Sequence, residues 1–443
     1  MPEFDSAYHV IRRRGEPDIR SLEPYRRTGG YTALEKAVRE QTPEQVIQQV
    51  IDARLRGRGG AGRPTGEKWR IVRRQDDDIK YVICNAYDAD PRSWAVRSML
   101  ERNPHQVIEG IVLAAYAVGA SEAYLFTRSL YLEGIATIQQ ALQQALDANL
   151  VGRDILSTDF SCSINVLGVD LGFMGGEETV QIAVIKGRRG MPEQRPPYPA
   201  QYGLWDKPTA VNCVETLANV PVIVRDGAAA FTSIGTATTG GTKVLTVYDY
   251  VPDSEPRVVE VPFGATLREI LQHAGYSRSE SELRAVVVGG AEGGALPTSL
   301  LDTPFDYDPL EEAGAIVGSG IIELLPVNTC MVAWAKERSR YLSNESCGKC
   351  VPCRIGMKRI TGILEGVISD LGVNSDLDIL DEFAQYIPDG SLCGFGIHAP
   401  NALKTARRYW PDHFRLHVED QECPTNTCIP LRAHRFATKH VLP

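Results

Sequence analysis

A chain of 443 residues has room for about two or three domains, each with its own core. Its 43% hydrophobic and 23% charged content is that of a soluble globular protein, and a net charge of −9 excludes a nucleic-acid binder, which needs a basic surplus against phosphate. The run MPEFDSAYHVIRRRGEPD lacks the apolar core of a signal peptide, and the longest apolar stretches, Val107–Ala120 and Ala315–Val327, are too short to span a bilayer. A cytoplasmic chain is therefore expected, without a membrane span of its own and at most peripheral to a membrane through a complex.

In chain order the first marked feature is GRGGAGRPTGEKW, Gly57–Trp69, in which five of thirteen residues are glycine. Gly57, Gly59, Gly60, Gly62 and Gly66 permit close backbone approach, Lys68 adds a cation, and the start of a following helix would aim N–H groups at an anion. The loop is neither a P-loop nor a dinucleotide G-x-G-x-x-G, so a phosphate-bearing cofactor is the reading, with a structural turn as the alternative. Next, YVICNA (Tyr81–Ala86), EAYLFT (Glu122–Thr127) and SINVLGV (Ser163–Val169) read as strands, separated by helical segments over Pro104–Ala120 and Ile135–Leu150. GEETVQIAVIKG follows as a helix, so the order βαβα predicts a mostly parallel sheet covered by helices. Glu177 and Glu178 are neighbours at a helix start and cannot face each other across a substrate as an acid–base pair.

After a basic, proline-rich loop (Gly187–Pro199), TATTGG (Thr236–Gly241) reads as a linker. KVLTVYDYV and VVEVPF are strands, TLREILQHAG an amphipathic helix and LRAVVVGG another strand, a β–β–α–β order that fits a ubiquitin-like β-grasp. From Asn328 the pattern is helical, with Ile360, Ile363, Leu364, Val367 and Ile368 on one helix face. The expected fold is thus α/β plus α+β: residues 1–240 a parallel-sheet domain with an N-terminal extension, 241–325 a β-grasp domain, and 326–443 a helical domain with a cysteine-containing tail.

Of ten cysteines, seven fall in the last third, which points to metal chemistry in a C-terminal module. Cys347, Cys350 and Cys353 have C-x₂-C-x₂-C spacing just before a helix, and Cys393 in SLCGFG is the natural fourth thiolate. That set is what a [4Fe–4S] cluster requires, whereas zinc ribbons prefer two separated C-x₂-C pairs. Cys330, His417, Cys423 and Cys428 form a Cys₃His set suited to tetrahedral zinc. The same four residues also read as ordinary buried thiols and a packed histidine.

Four segments, GRGGAGRPTGEKW, LGFMGGEETV, YPAQYGLWDKPTAVNCVETLANV and ESCGKCVPCR, occur in this order over nearly the whole chain. Together they resemble the NADH-binding flavoprotein subunit of respiratory complex I, a family that includes the flavin subunits of NAD-linked hydrogenases and formate dehydrogenases. The resemblance implies an FMN domain, a β-grasp domain and a helical [4Fe–4S] domain, in which FMN takes a hydride from NADH and passes electrons singly to the cluster. It implies FMN-binding residues at Gly57, Gly59, Gly60, Lys68, Asn85, Gly176, Glu177, Glu178 and Asn212. A nucleotide pocket is implied at Arg63, Asp90, Glu178, Arg195 and Tyr198. In the hydrogenase branch a zinc ion is held at positions matching Cys330, His417, Cys423 and Cys428. The implied partners are a thioredoxin-like [2Fe–2S] subunit and a larger Fe–S or catalytic subunit.

The departures cluster. Arg63 stands where the family has a stacking aromatic ring, and the family's NADESEPG reads NAYDADPR here, Asn85–Arg92. Tyr87 replaces an Asp, Asp88 a Glu, Ala89 a Ser, Asp90 the acid expected at the nicotinamide amide, and Arg92 a glycine. Phe173 replaces a tyrosine and Cys213 a second asparagine. Loss of a stacking ring costs roughly 1–3 kcal/mol, so NADH binding is weakened, redirected (for instance to NADPH through Arg63) or abolished, unless Glu178, Arg195 and Tyr198 sustain it. The functional expectation is a flavin/iron–sulfur electron-transfer subunit of a multi-subunit oxidoreductase with NAD(P)H as hydride partner. The alternative is an electron-relay or structural paralogue that binds no NADH and, in the extreme, no flavin.

Overall fold

The computed structural model describes residues 9–11, 18–249, 255–276, 278–369 and 371–428. The end of the expected KVLTVYDYV strand, residues 250 and 251, most of the N-terminal extension and the tail beyond 428 lie outside them. The chain divides into two compact units: Met1–Thr246 with Val258–Ala265, and Val247–Arg257 with Thr266–Pro443.

In the first unit, β1 (Tyr81–Ala86), β2 (Glu122–Arg128), β3 (Ser163–Val169) and β4 (Thr209–Cys213) form a four-stranded sheet in the order β3-β2-β1-β4. Every pairing is parallel, with Tyr81 opposite Glu122 on one side and Thr209 on the other. The sheet and its first three strands follow the expected βαβα order; β4, only five residues long, was not among the expected strands.

Helices α1 (Leu22–Arg27), α2 (Thr32–Glu40), α3 (Pro43–Asp52), α4 (Thr65–Arg73), α5 (Ala95–Arg102), α6 (Pro104–Val118), α7 (Leu132–Asp147), α8 (Glu178–Ile185), α9 (Val214–Asp226) and α10 (Ala228–Thr232) surround it. Helix α6 is apolar on nearly all sides and almost wholly buried, so it needs neighbours all round. It packs against β1, α2, α3, α4, α7 and α9. Its one carboxylate, Glu109, lies in this core and accepts the Tyr25 hydroxyl at 2.6 Å and the N–H groups of Tyr31 and Leu34. That binds α1 and α2 to α6. His105, in the first turn of α6, is likewise internal, sharing hydrogen bonds with Tyr31 and Gln144, and burial lowers its pKa to about 4.

Strands β5 (Thr242–Tyr248) and β6 (Arg257–Pro262) straddle the division between the units. In the second unit, β7 (Leu283–Val288) pairs antiparallel with β8 (Gly294–Leu296) and β9 (Ile321–Pro326). Helix α11 (Leu267–His273) starts with a capping box from Thr266 and Glu269, and α12 (Tyr307–Glu312) precedes β9. The rest is helical: α13 (Met331–Glu345), α14 (Met357–Val367), α15 (Asn374–Gly390), α16 (Gly394–His398), α17 (Asn401–Tyr409) and α18 (Pro411–Glu419). Ile360, Ile363, Leu364 and Val367 line the buried face of α14, the stripe expected from their spacing. No helix among the described residues is long and apolar enough to cross a membrane.

Candidate functional site

Open parallel sheets hold ligands beyond the carboxyl ends of their strands, where the chain turns to opposite sides. In the first unit that point lies between β1 and β4, because the chain runs from β1 to β2 and β3 and returns to β4 on the other flank. Asn85 and Cys213 are register partners at these two strand ends, and Asn212 stands one residue before.

The glycine-rich loop is closed on itself. Arg56 bridges Pro64, Gly57 N–H donates to Arg63 O at 2.8 Å, and Arg56 Nε donates to Gly62 O at 2.7 Å. It is also tied to the start of α9, where Arg58 N–H donates to Thr216 Oγ1 at 2.8 Å. A Cβ on Gly59 would stand 3.3 Å from Cys213 Cβ, a tight contact that the bare glycine avoids. Helix α9 starts with no side-chain cap; Cys213 holds the cap position, where sulfur is a weak acceptor. First-turn N–H groups at a helix start beside a glycine loop make an anion cradle. Lys68 Nζ stands near it, 2.8 Å from Val211 O, and Asn212 Oδ1 is held by Trp69 Nε1 at 2.9 Å. Helix α4, which follows the loop directly, uses its first N–H on Leu55 O and packs Gly66 against Ile51. The helix end facing the loop is therefore that of α9, and Thr216 joins the residues the sequence had marked.

The other expected flavin residues gather at the same strand ends, linked to each other. Asn85 Nδ2 donates to Gly176 O at 2.8 Å. Tyr87 is buried against Gly175, donates to Gly172 O and accepts from Leu171 N–H, both at 2.9 Å, with the Arg128 guanidinium over its ring. Phe173 is buried in the Gly172–Gly176 turn that Tyr87 contacts. Thr127 Oγ1 and Gln181 Oε1 are buried here without a hydrogen-bond partner, as polar atoms kept for a ligand would be. Glycine loop, uncapped helix start, lysine and orphaned polar atoms fit a phosphate-bearing flavin.

The acids of this edge are all engaged. Glu177 caps α8 through the N–H groups of Thr179 and Val180 at 2.9 Å and pairs with Arg195; burial raises its pKa. Glu178 lies 3.1 Å from Arg195 and 3.8 Å from Lys68. Asp90, 1% exposed, is gripped by Arg92, whose backbone N–H and Nη2 stand 3.0 and 3.2 Å from its two oxygens. Asp88 accepts Tyr131 OH at 3.1 Å, and burial pushes its pKa up to about 7. Tyr198 and Arg63 are exposed.

In the second unit, Cys353 lies in a π-helical turn, Pro352–Gly356, that leads into α14, a distortion common at functional sites. Its sulfur meets Ser346 Oγ at 3.3 Å, and its thiol is pushed up to about 11, first by burial and then by the nearby Cys350 and Cys347. Cys393 immediately precedes α16, and Gly396 of that helix packs on the Cys353 Cβ, which brings the start of α16 to the turn. Cys347, Cys350 and Cys393 are half-buried. Cys347, Cys350 and Cys353, in and just before this turn and in no disulfide, fit an iron–sulfur cluster whose fourth ligand would come from Cys393.

Cys330, His417, Cys423 and Cys428 also converge. All are buried, and their ligand atoms lie within 4.8 Å of one another, the one such group among the described residues. His417 Nε2 is 3.6 Å from Cys330 Sγ and 3.4 Å from Cys428 Sγ, while its Nδ1 contacts His413 O at 2.6 Å and so fixes the ring. None of these cysteines is in a disulfide.

A glycine loop and an uncapped helix start at the switch point, with three clustered cysteines and a fourth before α16, suit a flavin/iron–sulfur electron-transfer protein. Residues 50–222 match the family described as the Nuo51 FMN-binding domain, and residues 333–417 the NADH-ubiquinone oxidoreductase-F iron-sulfur binding region. The chain is 38% identical to the NADP-reducing hydrogenase subunit HndC of Solidesulfovibrio fructosivorans, over 95% of this chain and 86% of that one. It is 36% identical to an F subunit of the NADH-quinone oxidoreductase of Rhizobium meliloti (strain 1021), over 94% and 98%. A solved NAD⁺-reducing [NiFe]-hydrogenase in the H2-reduced state superposes with a TM-score of 0.77 at 30% identity, covering 94% of this chain and 69% of that one. The chain belongs to the family of FMN- and [4Fe–4S]-binding NADH-quinone oxidoreductase F subunits.

Proposed function

We propose that this chain is the flavin module of a multi-subunit oxidoreductase, in which a pyridine dinucleotide exchanges hydride at the β1/β4 crevice and electrons leave through the cluster turn. The observation that carries this reading is the cradle at the crevice: a closed glycine loop, the uncapped start of α9 and Lys68. Gly57, Gly59, Gly60, Lys68, Asn212 and Thr216 would hold the FMN phosphate, and Asn85, Gly176, Glu177 and Glu178 would border the ring. FMN, when bound, supplies the change from two-electron to one-electron transfer. Cys347, Cys350, Cys353 and Cys393 would ligate a [4Fe–4S] cluster.

Cys330, His417, Cys423 and Cys428 would hold zinc in a structural role: three sulfurs and one oriented imidazole leave no position open for a reacting water. Residues 241–325 are read as the β-grasp segment. The multi-subunit complexes of its relatives support Fe–S partners for the chain, a thioredoxin-like [2Fe–2S] subunit and a larger Fe–S or catalytic subunit. Such a complex would set any peripheral membrane location.

The test is anaerobic reduction of the purified holoprotein, followed in the flavin band. Bleaching by a reduced pyridine nucleotide, with reduction of an artificial acceptor, is expected. The Arg92 grip on Asp90 and the burial of Tyr87 favour a second reading, an electron relay between two protein partners. Bleaching by dithionite but by neither NADH nor NADPH would establish that reading instead.

A further inference from the structure

The acids and cations at the crevice edge do not match one for one. Glu177, Glu178 and Asp90 are each paired with Arg195, Lys68 or Arg92, and Asp88 is buried on Tyr131. The carboxylates of this edge are thus already committed to internal partners, while dinucleotide sites that select NAD use a carboxylate for the ribose 2′-hydroxyl. Sites that select NADP use a guanidinium for the 2′-phosphate instead.

Arg63 is such a guanidinium. It is exposed, and no side-chain hydrogen bond, ion pair or ring contact engages it among the described residues. Its backbone is fixed, because Arg63 O accepts Gly57 N–H and Pro64 bridges Arg56. The loop that carries it is the one whose Gly59 lies against Cys213 at the start of α9. A rigid base carrying a solvent-facing cation that no acid engages suits a dianionic group arriving from solution.

We propose that Arg63 is a specificity-determining residue and that the dinucleotide this chain takes carries a 2′-phosphate, NADP(H) in preference to NAD(H). The inference rests on the reading that a pyridine dinucleotide enters this crevice. Arg92 contributes by holding Asp90, which removes a negative group that would repel the phosphate.

The experiment uses the FMN-loaded chain, wild type and the R63A and R63K variants. Stopped-flow bleaching gives kcat/KM for NADPH and NADH, and calorimetry compares 2′,5′-ADP with 5′-AMP, a readout independent of flavin turnover. Wild type should favour NADPH and 2′,5′-ADP by roughly tenfold or more, the scale of one charged hydrogen bond. Added salt should weaken that preference, R63A should lose it, and R63K should keep part of it. A wild-type preference for NADH, or an equal slowing of both nucleotides in R63A, would overturn the proposal while leaving hydride entry intact. Bleaching by neither nucleotide, with dithionite still effective, would overturn the proposal and the hydride-entry reading together.

Discussion

The carboxyl of Asp88 is 7% exposed in the loop after β1, within reach of Tyr131, Ser93, Arg128 and Lys243. Burial outweighs these partners and raises its pKa from 3.8 to about 7, so the folded chain keeps a proton there that the unfolded chain has released. The contribution of a raised acid is fully present below the unfolded value and fades as pH climbs through the folded one. Wild type should therefore lose stability relative to Asp88→Asn between about pH 4 and 7, by on the order of 3 kcal/mol, and run parallel to it above that. Urea denaturation of both proteins across this range checks it; wild type gaining on the variant with rising pH would mean that Asp88 is ionised in the native chain. At this scale the sequence showed which residues are unusual, Tyr87, Asp88, Arg92 and Phe173. It could not show that Arg92 folds back on Asp90 or that Tyr87 turns inward, because both depend on what the rest of the chain leaves uncovered.

Helix α9 carries Pro221 in its interior, a residue that removes an N–H and crowds the carbonyl four residues earlier. That carbonyl is Leu217 O, and it faces Gly110 of α6: a Cβ on Gly110 would lie 2.1 Å from it. The two helices meet this closely because one lacks a side chain where the other has a carbonyl without its helical donor. Gly110→Ala is expected to cost about 3 kcal/mol. It should also weaken FMN retention, since α9 supplies the cradle; thermal unfolding and the flavin released on gel filtration measure the two effects. Unchanged stability would show that α6 and α9 can separate freely. The proline also explains why α9 and the five-residue β4 before it escape a reading by periodicity, although PTAVNCVETLANV is plain in the chain. Longer elements with clean periods, such as α7 and α14, are legible because their own residues decide which face is buried.

Across the whole molecule, the residues proposed for flavin all lie in the first unit and both cysteine constellations in the second. Chemical lesions should separate accordingly. Cys353→Ala is expected to abolish bound iron and sulfide while the flavin band persists. Cys423→Ser should release zinc and lower the unfolding temperature without removing iron. Metal analysis and visible spectra decide; loss of flavin together with iron in Cys353→Ala would contradict the separation.

From its own order of residues the chain announced a parallel α/β region, a three-cysteine turn suited to an iron–sulfur cluster, and its family. Those signals are local: three cysteines spaced by two residues share a turn however the rest folds, and alternating strands and helices dictate a layered sheet. Packing alone decided the rest. Cys330 meets His417 across 87 positions and Cys428 across 98, a distance over which spacing predicts nothing. Likewise the cradle proposed for flavin draws on α9 rather than α4, because the sheet order places β4 beside β1 and brings the start of α9 to the glycine loop.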